Sequence, residues 1–222
     1  RLIDGRAWDG RAWKCSDRTQ CCLLQQEYGA PLHIKVSRLF KLPKEGHFFT
    51  IHQQIQRTAA SDIPVVLWNI SQMNDPSYIV FPMSDSEHFD GTYHLMMGTQ
   101  PETNALLACT DDVFVFNCAG ASENKLGVRA TPPWIASVRG KTILLQRADD
   151  KSDGSNYPDG GCNVEMYANR GMKYAEIEHL SSEMLLAEGE TMENDLTFVL
   201  ATLDAAPAAP RDAAQKVRSM VP

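Results

Sequence analysis

The chain has 222 residues, 43% hydrophobic and 22% charged, with a formal net charge of −7. That length and composition suit one globular domain with a substantial core. The acidic balance, with no Lys/Arg cluster to offset it, argues against nucleic-acid phosphate or an anionic membrane surface as partner. No apolar run of about 18 residues is present, so no transmembrane span is expected. The opening Arg1-Leu2-Ile3-Asp4 does not read as a signal peptide, and the compartment of this soluble chain stays open.

Residues 1–31 read as an atypical N-terminal extension. Residues 4–8 and 9–13 repeat DGRAW, followed by cysteine and glutamine doublets, and the duplication is too short for a repeat architecture. From residue 32 to 204 short strand signals follow one another. They fall at 33–42, 48–58, 64–73, 78–81, 105–108, 113–117, 125–128, 134–138, 142–146, 163–168, 173–180 and 191–203. Turn signals separate them at Pro43 to Gly46, Asn74-Asp75-Pro76, Asp149 to Gly154 and Asp159-Gly160-Gly161. Strands in this rhythm, without an amphipathic helix among them, predict an all-β sandwich or supersandwich. Residues 205–222 are rich in Ala and Pro and read as a solvated tail with a short helix at 211–220. The six cysteines (Cys15, Cys21, Cys22, Cys109, Cys118, Cys162) lack metal-ligand spacing. They are expected to be reduced, with Cys109 and Cys118 able to meet across a hairpin.

Several residues along these strands are candidates for chemistry. In strand 48–58, Thr50, His52, Gln54 and Gln56 share the polar face, which sets His52 apart from a core histidine. As an isolated signal it also fits an ordinary surface histidine. His88 and His94 flank Asp90-Gly91 in a loop and are further histidines of this kind. Lys125 and Arg139 suit a sugar carboxylate, and Trp134 suits the apolar face of a pyranose; the alternatives are solvated charges and a core tryptophan. Tyr157 and Asp159 belong to a turn that either closes a site or is simply good turn chemistry. There is no phosphate-cradling loop, no G-x-S-x-G elbow and no HExxH. No cofactor and no metal are expected; a metal would need convergence of Glu165, Glu176 and His52.

The stretch 157–200 is the most informative. Asn163, Glu165 and Tyr167 alternate with Val164, Met166 and Ala168; Tyr174, Glu176 and Glu178 alternate with Ala175 and Ile177. Turn residues at Asn169-Arg170-Gly171 join the two strands into a hairpin. A loop of two or four residues keeps the apolar face continuous, pairing Val164 with Ile177 and Met166 with Ala175. Glu165 is then expected opposite Glu176, and Tyr167 opposite Tyr174. Directly opposed carboxylates are destabilising unless a cation, a shared proton or full solvation compensates. The face is therefore either a solvated surface or a site with two carboxylates and two tyrosines.

The run YPDGG…NVEMY…KYAEIEHLS…LAEGE…TFVL, with Lys125-Leu126-Gly127, Trp134-Ile135-Ala136 and the block 52–73, resembles the DUF4380 family of the galactose mutarotase-like superfamily over residues 32–203. Ala187-Glu188-Gly189-Glu190 stands where a Pro-Gly-Glu turn is usual, Pro133 stands for a Gly, and the Asn-His-aromatic motif of the superfamily's epimerases is absent. The resemblance implies a galactose mutarotase-like β-sandwich, with some N-terminal strands missing, that binds a small-molecule carbohydrate on a polar sheet face. It implies epimerase-like acid–base chemistry, with Glu176 or Glu165 as base and His52 as acid. Trp134, Tyr174, Tyr167, Tyr157, Asp159, Lys125 and Arg139 are the substrate-binding candidates. A non-catalytic carbohydrate-binding domain and a structural domain are the alternatives.

Overall fold

A computed structural model describes residues 8–84, 89, 92–98, 101, 106–120, 123–150 and 156–221. In chain order the strands are β1 (Asp9–Ser16), β2 (Thr19–Tyr28), β3 (Ile34–Pro43), β4 (Phe48–Arg57), β5 (Trp68–Asn74), β6 (Tyr78–Pro82), β7 (His94–Met97) and β8 (Leu107–Thr110). They continue with β9 (Val113–Asn117), β10 (Asn124–Val128), β11 (Trp134–Arg139), β12 (Thr142–Asp150), β13 (Val164–Asn169), β14 (Tyr174–Leu180) and β15 (Thr191–Thr202), and a helix α1 (Pro210–Arg218) closes the chain. A ten-stranded sheet runs β1-β2-β3-β4-β15-β12-β11-β6-β9-β8, and a five-stranded sheet runs β5-β14-β13-β10-β7. All the pairings are antiparallel. No helix among the described residues is long and apolar enough to cross a membrane.

The two sheets stack because each presents an apolar row at period two. Val164, Met166, Ala168, Ala175, Ile177 and Leu126 of the smaller sheet meet Ile79, Phe81, Phe114, Phe116 and Ile135 of the larger one. One polar chain crosses this interface: Ser71 Oγ donates to Gln146 Oε1 at 2.8 Å, and Gln146 Nε2 lies 2.6 Å from His179 Nδ1. On the opposite side of the larger sheet, Ala213, Ala214 and Val217 of α1 cover Val80, Val113, Val115, Trp134 and Val138. The helical part of the expected tail, Pro210–Arg218, is therefore docked and not solvated: the helix docks because its small residues repeat on one face.

Residues 9–28, expected as part of an extension, form β1 and β2 and add to the ten-stranded sheet through β3. Cys15 and Cys21, expected to be reduced, form a disulfide between these strands. Cys109 is exposed and Cys118 buried, both free. Residues 4–7, His88, Asp90, Gly91 and Ala105 lie outside the described residues, as does most of the turn expected at 149–154. Strand β7 occupies a segment expected to be loop, and β5 begins at Trp68, four residues later than expected.

The hairpin of β13 and β14 has the expected parity but is shifted by two residues. Glu165 pairs with Glu178, Met166 with Ile177, Tyr167 with Glu176 and Asn169 with Tyr174. The reason lies in the connection, a 3-10 turn at Arg170–Met172 followed by Lys173 at φ 50°. Asn169 caps the turn from its side chain. The four connecting residues thus begin one position later than the sequence pattern suggests.

Arg57 is fully buried and donates to three backbone carbonyls, those of Leu186 at 3.2 Å, Ile63 at 2.5 Å and Leu32. It ties three separate segments to the end of β4. Arg57→Ala leaves all three acceptors without their charged donor, and an unfolding free energy lower by at least about 3 kcal/mol is expected in urea titration.

Candidate functional site

The site is built from the register of the five-stranded sheet. Strand pairing sets Ile70, Glu178, Glu165, Gly127 and His94 in one row across β5, β14, β13, β10 and β7. The next row holds Gln72, Glu176, Tyr167, Lys125 and Met97. Both rows lie on the face turned away from the larger sheet, since the intervening residues of β13 and β14 fill the core between the sheets. The side chain missing at Gly127 matters here. A Cβ at that position would collide with Met96 and Cys162, which pack over the row beside Glu165.

Lys125 stands between the two opposed carboxylates. Its Nζ is 2.6 Å from Glu165 Oε2 and 3.3 Å from Glu178 Oε2. The Trp68 indole N–H donates to Glu178 Oε2 at 2.7 Å, and the Lys125 ammonium lies 5.0 Å from the Trp68 ring centroid. The side chains of Glu165 and Glu178 are both 0% exposed. One cation cannot neutralise two buried carboxylates, so a proton is drawn in. Burial pushes the Glu165 carboxyl up to about 8 against the pull of Lys125, with Glu178 and Asp159 adding to the rise. Burial also raises Glu178, opposed by Lys125 and the Trp68 hydrogen bond. Around this centre, Tyr174 donates to Glu176, Tyr167 donates to Glu123 at 2.8 Å, and the two tyrosine rings meet edge to face at 6.1 Å. Burial and the bond to Glu176 raise the Tyr174 hydroxyl.

Of the residues singled out from sequence, Glu165, Glu176, Tyr167, Tyr174 and Lys125 share this face. Asp159 is near enough for its charge to act on Glu165, and its carbonyl lies 2.9 Å from His94 Nδ1. A carbonyl only accepts, so His94 Nδ1 carries the proton and Nε2 is left with the lone pair when the ring is neutral. Tyr157 stacks under the Arg129 guanidinium at 5.0 Å. Three residues are placed elsewhere. His52 lies on the far face of the ten-stranded sheet, 2.8 Å from Asp195 Oδ1 and 3.9 Å from Glu193 Oε2. Its neighbours Ile51 and Gln53 take the inner face instead. Trp134 is buried in the core beneath α1, and Arg139 is exposed at the end of β11. The sequence pattern missed Glu178 as the direct partner of Glu165 and Trp68 as a neighbour, while His94, singled out as a loop histidine, lies on strand β7 at the end of the row. The alternation carried the Glu178 signal, but its pairing depends on the turn.

No family model matches the chain, and no curated protein is similar to it in sequence. Solved structures do match. The Slr1438 protein of Synechocystis sp. PCC 6803 superposes with a TM-score of 0.59 at 12% identity, covering 88% of this chain and 66% of that one. A galactose mutarotase-like protein of Lactobacillus casei ATCC 334 gives 0.57 at 12%, covering 87% and 73%. An aldose 1-epimerase candidate from Escherichia coli K12 gives 0.52 at 13%, covering 88% and 69%. The fold is that of the galactose mutarotase-like β-sandwich proteins. The chain spans about two thirds to three quarters of their lengths.

The buried groups make a pH profile with a definite shape. Burial lowers His179, between the sheets, to about 4 from 6.5, while Glu165 is raised to about 8 from 4.5. Between pH 4.5 and 6.5 the unfolded chain holds a proton on His179 and the folded chain holds one on Glu165, so these two groups offset each other, and the raised Glu178 adds only a fall with rising pH. Above 6.5 the unfolded chain holds neither proton while the folded chain keeps that of Glu165, and stability falls by about 2 kcal/mol up to pH 8. Below 4.5 the unfolded chain takes both protons and stability falls again. Urea midpoints measured across pH 4–8 are expected to trace this profile, lower at both ends. In Glu165→Gln the alkaline fall is expected to shrink, leaving chiefly a rise from pH 4 to 6.5 set by His179.

Proposed function

We propose that the chain binds a carbohydrate on the outer face of the five-stranded sheet and carries out epimerase-like acid–base chemistry there, as a member of the DUF4380 family. The opposed pair of Glu165 and Glu178 around Lys125 is the observation that carries this reading. Directly opposed side chains on such a sheet have Cβ atoms about 5 Å apart, close enough to serve two oxygens on one anomeric carbon. Glu165 holds its proton near neutrality and is suited to protonate the ring oxygen. Glu178, with the Trp68 N–H and Lys125 as donors, is suited to take the proton of the anomeric hydroxyl. As the C1–O5 bond breaks, the open aldehyde forms; rotation about C1–C2 and reversal of both proton transfers give the other anomer. Lys125 compensates whichever carboxylate is ionised, and His94 contacts a ring hydroxyl from the far end of the row. Glu165 takes over the acid role expected of His52.

A second reading, a non-catalytic binding domain, draws on one observation. The two carboxylates are sealed, whereas Trp68, Gln72, Glu176, Tyr167 and Tyr174 remain partly exposed. Polarimetry of freshly dissolved aldose anomers separates the two. The enzyme reading expects interconversion above the buffer rate, reduced 10²-fold or more in Glu178→Gln with little change in KM. The binding reading expects no interconversion, with sugar-dependent thermal stabilisation that is lost in Trp68→Ala. An active protein whose rate is untouched by Glu178→Gln would sink the assignment of the base.

A further inference from the structure

A cavity of about 520 Å³ lies at one end of the sandwich, where the β13–β14 connection faces the β5–β6 turn and the end of β9. That volume suits a small organic molecule and exceeds what a single ion fills. Arg170 and Lys173 line it together with one carboxylate, Asp75. The chain as a whole carries −7, yet neither cation has an ion-pair partner among the described residues. The thiol in the wall adds no negative charge, since burial pushes Cys118 up to about 12. Asn117 Oδ1 accepts from the Ala119 N–H at 3.1 Å, which leaves its Nδ2 to donate, and Ser77 and Tyr78 add hydroxyls. Donors and positive charge prevail here. The outer face of the sheet is the reverse, because its Lys125 is engaged by Glu165 and Glu178.

The backbone fixes where these cations start. Asn169 caps the turn that carries Arg170, and the Lys173 N–H donates to the Arg170 carbonyl at 3.0 Å. The Lys173 carbonyl accepts from the Asp75 N–H at 2.8 Å, which ties the connection to the β5–β6 turn. Lys173, at φ 50°, occupies the left-handed region, which glycine enters freely and lysine does not. A charged side chain kept at a strained position on the wall of a cavity points to use of that charge. We propose that the cavity binds a phosphate monoester on a small polar skeleton, with the phosphate between Arg170 and Lys173 and the skeleton beside Tyr78 and Tyr174. A monoester carries close to two negative charges at neutral pH, matching two cations, and the guanidinium fork presents paired donors to its oxygens. Asn169 stands four residues along β13 from Glu165, about 13 Å at the rise of a strand. One pyranose does not span that length, so the cavity binds its own ligand whether or not the outer face holds a sugar.

The test is calorimetric titration of the full chain at pH 7 and low salt with ribose 5-phosphate, ribonate, ribose and inorganic phosphate. Ribose 5-phosphate is expected to bind at least tenfold more tightly than any of the other three, and to weaken as salt is added. Arg170→Gln and Lys173→Gly are each expected to weaken it tenfold or more. Lys173→Gly is expected to keep the urea midpoint of the parent chain or to raise it, because glycine adopts φ 50° without strain; its loss of binding then reports the missing charge and not a misfolded turn. Any binding of ribose to the outer face is expected to be the same in both variants. No binding of ribose 5-phosphate, or binding that neither substitution weakens, overturns the site. Inorganic phosphate bound as tightly as the ester, or ribonate bound as tightly, overturns the phosphate monoester as its ligand.

Discussion

Two carboxylates opposed across neighbouring strands can be buried only if positive charge and a proton are buried with them. In this protein Lys125 supplies the charge, lying within 3.3 Å of both Glu165 and Glu178, and the Trp68 N–H supplies a further donor. The arrangement draws on four strands at once: β10 brings the lysine, β13 and β14 the carboxylates, and the edge strand β5 the indole. A single step of register in any of these pairings would turn the charged residues into the apolar interface. The rest of the outer face is arranged around this centre, including the bare position at Gly127 that lets Met96 and Cys162 close over the row.

The opposite side of the same sheet is held by a different logic. There the contact is apolar, crossed by the chain of Ser71, Gln146 and His179. His179 stays neutral because it is fully enclosed and has an amide as partner rather than a carboxylate. The five-stranded sheet thus keeps its cation and carboxylates on one face and a neutral imidazole on the other. Both faces store proton affinity, with opposite sign, and the stability of the folded chain is set between them. The ten-stranded sheet contributes breadth rather than chemistry to this centre. Its far face is covered in part by α1 and carries His52 with its own carboxylates, Asp195 and Glu193.

Likeness to solved structures at 12–13% identity establishes a shared fold, and one fold can host unrelated chemistries. The functional reading therefore rests on the groups of this chain. Their pattern is a proton-sharing pair of carboxylates bridged by a lysine, with aromatic rings at the rim and net negative charge around them. Donor-rich ligands suit such a face, and anionic ones do not.

The all-β class was legible in the alternation of polar and apolar residues, and most strands from β3 to β15 fall where that alternation places them. The sequence also marked Glu165, Tyr167, Tyr174 and Glu176 as one polar face, because side-chain direction in a strand follows from the chain alone. Strands β1 and β2 were hidden by an unusual composition, and α1 by an Ala-rich segment whose small residues acquire value only against the larger sheet. The partner of Glu165 was decided by where the turn begins, a matter of Asn169 capping and Lys173 in a left-handed conformation. His52 and Trp134 had the right residue types for a sugar site but lie on the far side of the larger sheet. Periodicity tells which residues of one strand share a face; which faces meet is a property of packing. Only the folded structure could bring Lys125, Trp68 and Glu178 together, because the energy that holds them, charge compensation in a site closed to water, exists only after the sheets have assembled.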